Sequence, residues 1–336
     1  MAKTSEDAGV DRLRWTEFAA SPAGDDGADV AAGLRATPKW LPSRLFYDAR
    51  GSDLFEEITR LPEYYPTRAE LEILEARADE IAATAGPCDM IELGAGSGRK
   101  TGTLIRAWTA AGAPMLYLPV DVDGSIVRRG AGRLLDAIPS LEVWGLIGTW
   151  EQALAALPPA GPRPRMAVFL GSTLGNLTDP AITRFLDGLR RALGPEAWFL
   201  LGVDLVKPVA VLEAAYNDSA GVTAAFNRNI LDHINRRFRG DFKPDGFTHR
   251  AFWNPGAEQI EMHLESLGAQ TARLDALDLD VQLAASERIR TEISRKFRPD
   301  ALADLFAGHG FRRREQWLDG EGRFALMLFR TAGPGV

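Results

Sequence analysis

The sequence predicts an α/β fold built on a mainly parallel sheet, and three observations carry that reading. Short apolar strands alternate with amphipathic helices through the middle of the chain. A glycine-rich turn follows the first of these strands, and an aspartate ends the next. The chain closes in a helix and an antiparallel hairpin.

The elements follow in order. Met90–Leu93 reads as a strand, Thr101–Ala111 as a helix and Met115–Val120 as a strand ending at Asp121. Val127–Ala137 is helical, Leu141–Leu146 a third strand and Met166–Leu170 a fourth, ending at Gly171. Pro180–Leu193 is a helix with Asp179 as its N-cap, and Trp198–Val203 a fifth strand. The alternation then breaks. Leu205 to Phe238 reads as helical, interrupted at Asn217-Asp218 and Gly221. Ile260, Met262 and Leu264 alternate with Glu261, His263 and Glu265, the pattern of a half-buried strand. Pro299–Ala307 is a helix stopped by Gly308 and Gly310. Phe311–Leu318 and Arg323–Phe329 flank the turn signal Asp319-Gly320. The expected boundaries are a frayed, disordered N-terminus over 1–10, a sheet domain over 80–204 plus 291–332, and a second, α+β lobe over 11–79 plus 205–290.

Composition narrows the class. In 336 residues, 39 Lys and Arg against 46 Asp and Glu give a net charge of −7, which argues against a nucleic-acid partner. No apolar run is long enough to span a membrane, so none is expected as a partner. Cys88 is the single cysteine, so the chain forms no internal disulfide, and with four His it builds no Cys-rich zinc site. Met1–Val10 lacks the basic-then-apolar order of a secretory signal. A soluble cytoplasmic enzyme, taken as a monomer, is the expectation.

Two loops concentrate small residues at strand ends. Ile91-Glu92-Leu93-Gly94-Ala95-Gly96-Ser97-Gly98 lies between a strand and a helix. Its glycines permit a sharp turn and close approach to a ligand, and free amides at a helix start can hold an anion. Asp121 is placed to accept from ribose hydroxyls. A tight turn without ligand and a nicotinamide cofactor are the alternatives. Lys100 reads either as a contact to a cofactor carboxylate or as a solvated helix residue. The second loop, Gly171-Ser172-Thr173-Leu174-Gly175-Asn176, falls where ligands bind in such sheets. There Asn176 can serve a ligand or simply close a turn on backbone.

The Gly-x-Gly-x-Gly spacing after Glu92 is similar to the first motif of Rossmann-like, S-adenosylmethionine-dependent methyltransferases. Further stretches narrow the resemblance over about residues 30–330. They are Phe46-Tyr47-Asp48 with Gly51-Ser52-Asp53-Leu54-Phe55, then Leu61-Pro62-Glu63-Tyr64-Tyr65-Pro66-Thr67-Arg68, the Gly171–Asn176 loop, Ala224-Ala225-Phe226-Asn227-Arg228-Asn229 and Lys296-Phe297-Arg298-Pro299. Together they resemble the histidine-specific N-alpha-methyltransferases of ergothioneine biosynthesis. The resemblance implies a class I methyltransferase sheet with an added substrate-binding lobe. It implies S-adenosylmethionine as methyl donor, L-histidine as the small-molecule partner, and three transfers to the α-amine that give hercynine.

It also implies site roles. Tyr64, Asn176 and Tyr216 hold the amine and carboxylate end, with Gly171 allowing close approach; Tyr47, Tyr64 and Asn176 form the catalytic set. Glu292, Ile293 and Ser294 meet the imidazole, with Met262 beside it. Gly94, Ala95, Gly96, Lys100 and Asp121 hold the cofactor. Where the family often has an acid for adenine, this chain has Thr149 and Trp150, a hydroxyl and a stacking ring. Tyr47 and Phe55 line a methylammonium pocket, a plausible use for aromatic faces because the trimethylated product has no N–H to bond. Glu292 and Ser294, two apart in an extended chain, share a face. Glu292 accepts from a ring N–H and Ser294 can serve either nitrogen. The blander readings are a solvated strand residue for Glu292 and core packing for Met262 and the Tyr/Phe segment. A sulfonium is already an activated donor, so the chemistry calls for no metal. A methyltransferase for another small amine, or a non-catalytic S-adenosylmethionine-binding module, are the competing functions.

Overall fold

The computed structural model describes residues 3–6, 12–18, 27–110 and 114–333. The strands in chain order are β1 Lys3–Glu6, β2 Leu13–Glu17, β3 Lys39–Trp40, β4 Asp89–Leu93, β5 Met115–Asp121, β6 Leu141–Ile147, β7 Arg165–Phe169 and β8 Trp198–Asp204. They continue as β9 Phe247–Asn254, β10 Gln259–Ser266, β11 Gln270–Leu274, β12 Leu279–Leu283, β13 Arg288–Arg295, β14 Phe311–Leu318 and β15 Phe324–Thr331. The chain divides into two compact units. The first comprises Met1–Ala19, Arg68–Leu205 and Phe297–Val336, the second Ala20–Thr67 and Val206–Lys296. Among the described residues, no helix is long and apolar enough to cross a membrane.

The first unit is a nine-stranded sheet in the order β1-β2-β6-β5-β4-β7-β8-β15-β14. Its centre is parallel; β15 runs antiparallel to β8, and β14 antiparallel to β15. From β4 the chain winds through β5 and β6 to one side, then through β7 and β8 to the other. The order therefore reverses between β4 and β7, where an open α/β sheet leaves a crevice at its carboxyl ends. The loop after β4 and the loop after β7 both open there. The core beside the sheet is aromatic. Phe185, on the helix Asp179–Leu193, lies 5.1 Å from Phe169, and Phe306 lies 4.7 Å from Phe329.

The sheet differs from the sequence expectation in four places. Residues 3–6 form a strand paired antiparallel with β2, so the expected N-terminal disorder does not hold there; the rest of 1–10 lies outside the described residues. Residues 13–17 join this sheet rather than the second lobe, because Gly145 of β6 leaves room for the Trp15 ring: a Cβ at Gly145 would stand 2.1 Å from it. The helix Pro66–Ala85 packs with the first unit from Arg68 onward, held at its C-terminal end where the Trp198 indole donates to Ala85 O at 3.1 Å. The helix after β7 is capped at Thr178 rather than Asp179, with no cap hydrogen bond from the Thr178 side chain.

The terminal hairpin turns through 319–323, longer than the expected Asp-Gly turn, and β15 begins at Phe324. Asp319, 4% exposed, accepts from Arg323 N at 2.6 Å and Phe324 N at 2.7 Å.

The second unit is a four-stranded sheet in the order β3-β13-β10-β9, a separate β11-β12 hairpin, and the helices Ala28–Arg35, Ala49–Ile58, Val209–Ala214 and Val222–Phe238. β13 therefore belongs to this unit; the expected return to the first domain at 291 occurs instead at Phe297. β10 is not half-exposed. Glu261 and His263 are each 9% exposed, because Asn254, Gln259 and His263 all bond the Glu261 carboxylate.

Replacing Asp319 with Ala leaves two buried N–H groups unpaired. Urea unfolding is expected to show a loss of about 1–3 kcal/mol, with an unchanged m-value.

Candidate active site

In the first unit the glycine turn is shaped by its backbone. Gly94, Gly96 and Gly98 have φ of 69°, 50° and 63°, a region that side-chain-bearing residues rarely adopt. A Cβ at Gly94 or Gly96 would meet nothing within 4 Å, so the turn borders open space. Asp121 braces it: one carboxylate oxygen accepts from Gly96 N at 2.8 Å, the other from Asp123 N at 3.0 Å. The carboxylate retains lone-pair capacity for a ribose hydroxyl. Burial raises the Asp121 pKa against these N–H bonds. A cofactor with a ribose hydroxyl fits this cradle.

Glu92 lies beneath the turn, fully buried, and accepts from the hydroxyls of Thr101 and Tyr117. Burial pushes its pKa up to about 7 despite those bonds. Sequence reasoning quoted Glu92 only as part of the motif.

Glu70 was missed altogether. It is 0% exposed, bonds the Lys100 ammonium, and accepts from Gly171 N at 2.8 and 3.0 Å. One carboxylate thus ties the helix after β4 to the loop after β7. Gly202 makes room for it, since a Cβ there would lie 2.0 Å from Glu70 Oε1. A signal was present: Glu70 falls on the stripe Leu74, Ala78, Ile81 of its helix, a charge among core positions. Lys100 is therefore a paired, partly buried cation rather than a solvated one.

The loop after β7 bends at Gly171 (φ 74°) and Ser172 (φ 58°), then forms a single 3-10 turn Thr173–Asn176. Thr149 caps the helix Trp150–Ala155 in a reciprocal box with Gln152. The Trp150 ring packs edge-on to Phe185 at 5.2 Å, against the core.

In the second unit the placement of Glu292 depends on a bulge. Ile289 pairs with Leu264 and Arg290 with His263, but Glu292 pairs with Met262, so Thr291 is the extra residue. Simple alternation from Ile289 would send Ile293 to the Met262 face and Glu292 to the other. The bulge inverts this. Glu292 lies opposite Met262 and Ser294 opposite Ile260 on one face, while Ile293 lies opposite Glu261 on the other. The Ile293 side chain therefore does not join the cluster that Glu292 and Ser294 form. Thr291 is held by Asn227, whose Oδ1 accepts its hydroxyl at 2.7 Å.

Ser294 does not stand alone. The Tyr216 hydroxyl is 2.7 Å from its Oγ, so residues expected at opposite ends of the substrate touch. Lys296 Nζ lies 2.8 Å from Ser294 Oγ and 3.0 Å from Tyr216 OH.

The aromatic residues form a chain of edge contacts. Tyr47 meets Phe55 at 5.8 Å, Phe55 meets Tyr64 at 6.3 Å, and Tyr64 meets Tyr216 at 6.4 Å, with Phe226 6.0 Å from Tyr47 and from Phe55. Tyr47 is 39% exposed. Tyr65 stands apart, 2% exposed, with its hydroxyl accepting from Lys207 at 2.6 Å. Asp48 caps the helix bearing Phe55 through Gly51 N at 2.7 Å and accepts from Asn229 at 2.9 Å.

A switch-point crevice and a glycine turn over open space, braced by Asp121, give the first unit a Rossmann-like cofactor-binding fold, and a family match makes it that of a methyltransferase. The family model described as histidine-specific, S-adenosylmethionine-dependent methyltransferase matches residues 26–331, and the chain belongs to that family. A histidine N-alpha-methyltransferase of Mycolicibacterium smegmatis is 47% identical over 300 residues, covering 89% of this chain and 93% of that one. Its counterpart from Mycobacterium tuberculosis is 45% identical over the same shares. Ergothioneine biosynthesis protein 1 of Neurospora crassa is 30% identical over 303 residues, 84% of this chain but 32% of that protein.

The Glu92 pKa sets a stability window. Its folded value of about 7 lies above the ordinary 4.5, so stability is full below 4.5 and falls as pH rises toward 7. Glu92→Gln removes that loss. Its advantage over the parent in thermal unfolding is expected to grow between about pH 4.5 and 7 and to level off above.

Proposed function

We propose that this chain transfers three methyl groups in succession from S-adenosylmethionine to the α-amine of L-histidine, giving hercynine, the first step of ergothioneine biosynthesis. The observation that carries the proposal is the shared sheet face of Glu292, Ser294 and Met262 in a member of a histidine-specific family. That face presents a carboxylate, a hydroxyl and a soft apolar side chain, the complement of one imidazole edge and plane.

The first unit serves the cofactor. Gly94, Ala95 and Gly96 form the turn, Asp121 accepts the ribose hydroxyls, and Lys100, positioned by Glu70, meets the carboxylate. Thr149 and Trp150 serve the adenine. When bound, the sulfonium supplies an electrophilic methyl group. The remaining work falls to positioning. The family resemblance gives Tyr64, Asn176 and Tyr216 to the amine and carboxylate end, with Gly171 permitting close approach. Each transfer requires a neutral amine, and a proton leaves each time; the Tyr47 or Tyr64 hydroxyl passes it to water. After the third transfer no N–H remains, and the rings of Tyr47, Phe55 and Tyr64 hold the cation with about 0.5–2 kcal/mol per face.

Incubation of the protein with S-adenosylmethionine and histidine is expected to add three methyl groups by mass spectrometry. Methylation of another amine but not of histidine overturns the substrate, and cofactor binding without turnover on any amine overturns catalysis. Glu292→Ala removes a charged hydrogen bond and is expected to weaken histidine binding by about 10- to 100-fold. Calorimetry is expected to show S-adenosylhomocysteine affinity unchanged.

A further inference from the structure

We propose that Lys296 makes Ser294 an obligate hydrogen-bond donor and so selects the neutral imidazole of histidine in one tautomer. This rests on the reading that Ser294 and Glu292 meet the ring.

The argument starts from a triangle. Tyr216 OH, Ser294 Oγ and Lys296 Nζ lie 2.7, 2.8 and 3.0 Å apart, with Lys296 3%, Ser294 5% and Tyr216 8% exposed. An ammonium donates and never accepts. Both hydroxyl oxygens therefore accept from Lys296. One hydroxyl proton lies on the Tyr216–Ser294 edge, and the phenol, the stronger acid, supplies it. Ser294 Oγ then has both lone pairs filled, and its own proton points away from the triangle. Any group that meets Ser294 must accept.

Glu292, on the same face, offers carboxylate oxygens that accept. A neutral imidazole answers both demands, with its bare nitrogen toward Ser294 and its N–H toward Glu292. An imidazolium places a second N–H against the Ser294 proton and a positive charge near the Lys296 ammonium. Lys296 thus acts through Ser294 as a positioning residue. Arg250, Glu261, His263, Glu265, Arg288, Arg290 and Arg295 take the opposite face of the sheet; His249, Glu213 and Asp218 are further ionisable groups on the elements packed here. His249 Nδ1 accepts from Asn227 at 2.8 Å, which puts its proton on Nε2, donated to Tyr216 O at 2.8 Å; burial lowers its pKa. Asp218 is engaged by Val222 N and Thr223 N, and Glu213 by Trp253 N.

Calorimetry of histidine binding to the full chain saturated with S-adenosylhomocysteine tests this. An imidazole with a pKa of about 6.5 is about 90% neutral at pH 7.5 and about 10% neutral at pH 5.5, so the parent Kd is expected to rise about tenfold across that range. In Lys296→Met the rise is expected to shrink to about threefold or less, while Lys296→Arg keeps it. Titration of His249 acts on parent and variants alike and leaves their difference intact. A flat parent, or a Lys296→Met variant that keeps the tenfold rise, overturns the proposal. If Lys296→Met fails to bind S-adenosylhomocysteine, Lys296→Leu replaces it under the same criterion. Ser294→Ala tests the underlying reading separately: unchanged histidine affinity at pH 7.5 removes Ser294 from the ring, and the proposal falls with it.

Discussion

The extra residue in β13 is the constraint on which the second unit depends. Thr291 shifts the strand by one position, and everything after it changes face. Its side chain is fully buried, and both of its bonds, to Asn227 Oδ1 and to Met262 O, hold the distortion in place. Asn227 completes the brace by donating to His263 O and to His249. A polar network with no exposure at Asn227 is costly unless each member is satisfied, and here the asparagine bonds three elements at once. A carboxylate and a hydroxyl reach the Met262 face because a helix side chain fixes a backbone irregularity across the sheet.

The first unit relies on the opposite device, carboxylates placed under loops. Asp121 bonds the amide of Gly96, Glu92 fixes the hydroxyls of Thr101 and Tyr117, and Glu70 gathers Lys100 and Gly171. Glycine backbones have few side-chain contacts to hold them, so their shape comes from such anchors. Each anchor gives up solvation of its charge to set a loop, and Glu92 records that cost in its raised pKa.

Much of this was legible in the sequence. The β4–β8 alternation, the turn at Gly94 and the closing β14–β15 pair follow from period, glycine placement and a hairpin signal. What escaped has a common cause. Residues 13–17 carry no strong strand pattern, and their place is set by a gap at Gly145 far along the chain. Glu261 and His263 look solvent-facing by alternation, yet are covered by neighbouring polar side chains. Glu292 and Ile293 exchange faces through a bulge that no period reveals. The roles of Glu70 and Lys296 arise from partners 30 and 80 residues away, which local reasoning cannot supply.

The chain leaves the first unit at Leu205 and returns at Phe297, and these two residues form a parallel bridge, with Phe297 N bonded to Asp204 O at 2.9 Å. The bridge brings together the two ends of the ninety-odd residues between them. Closure entropy grows only slowly with the length of such a segment. A longer or shorter segment between these two residues would therefore change the closure cost to the host sheet only slightly.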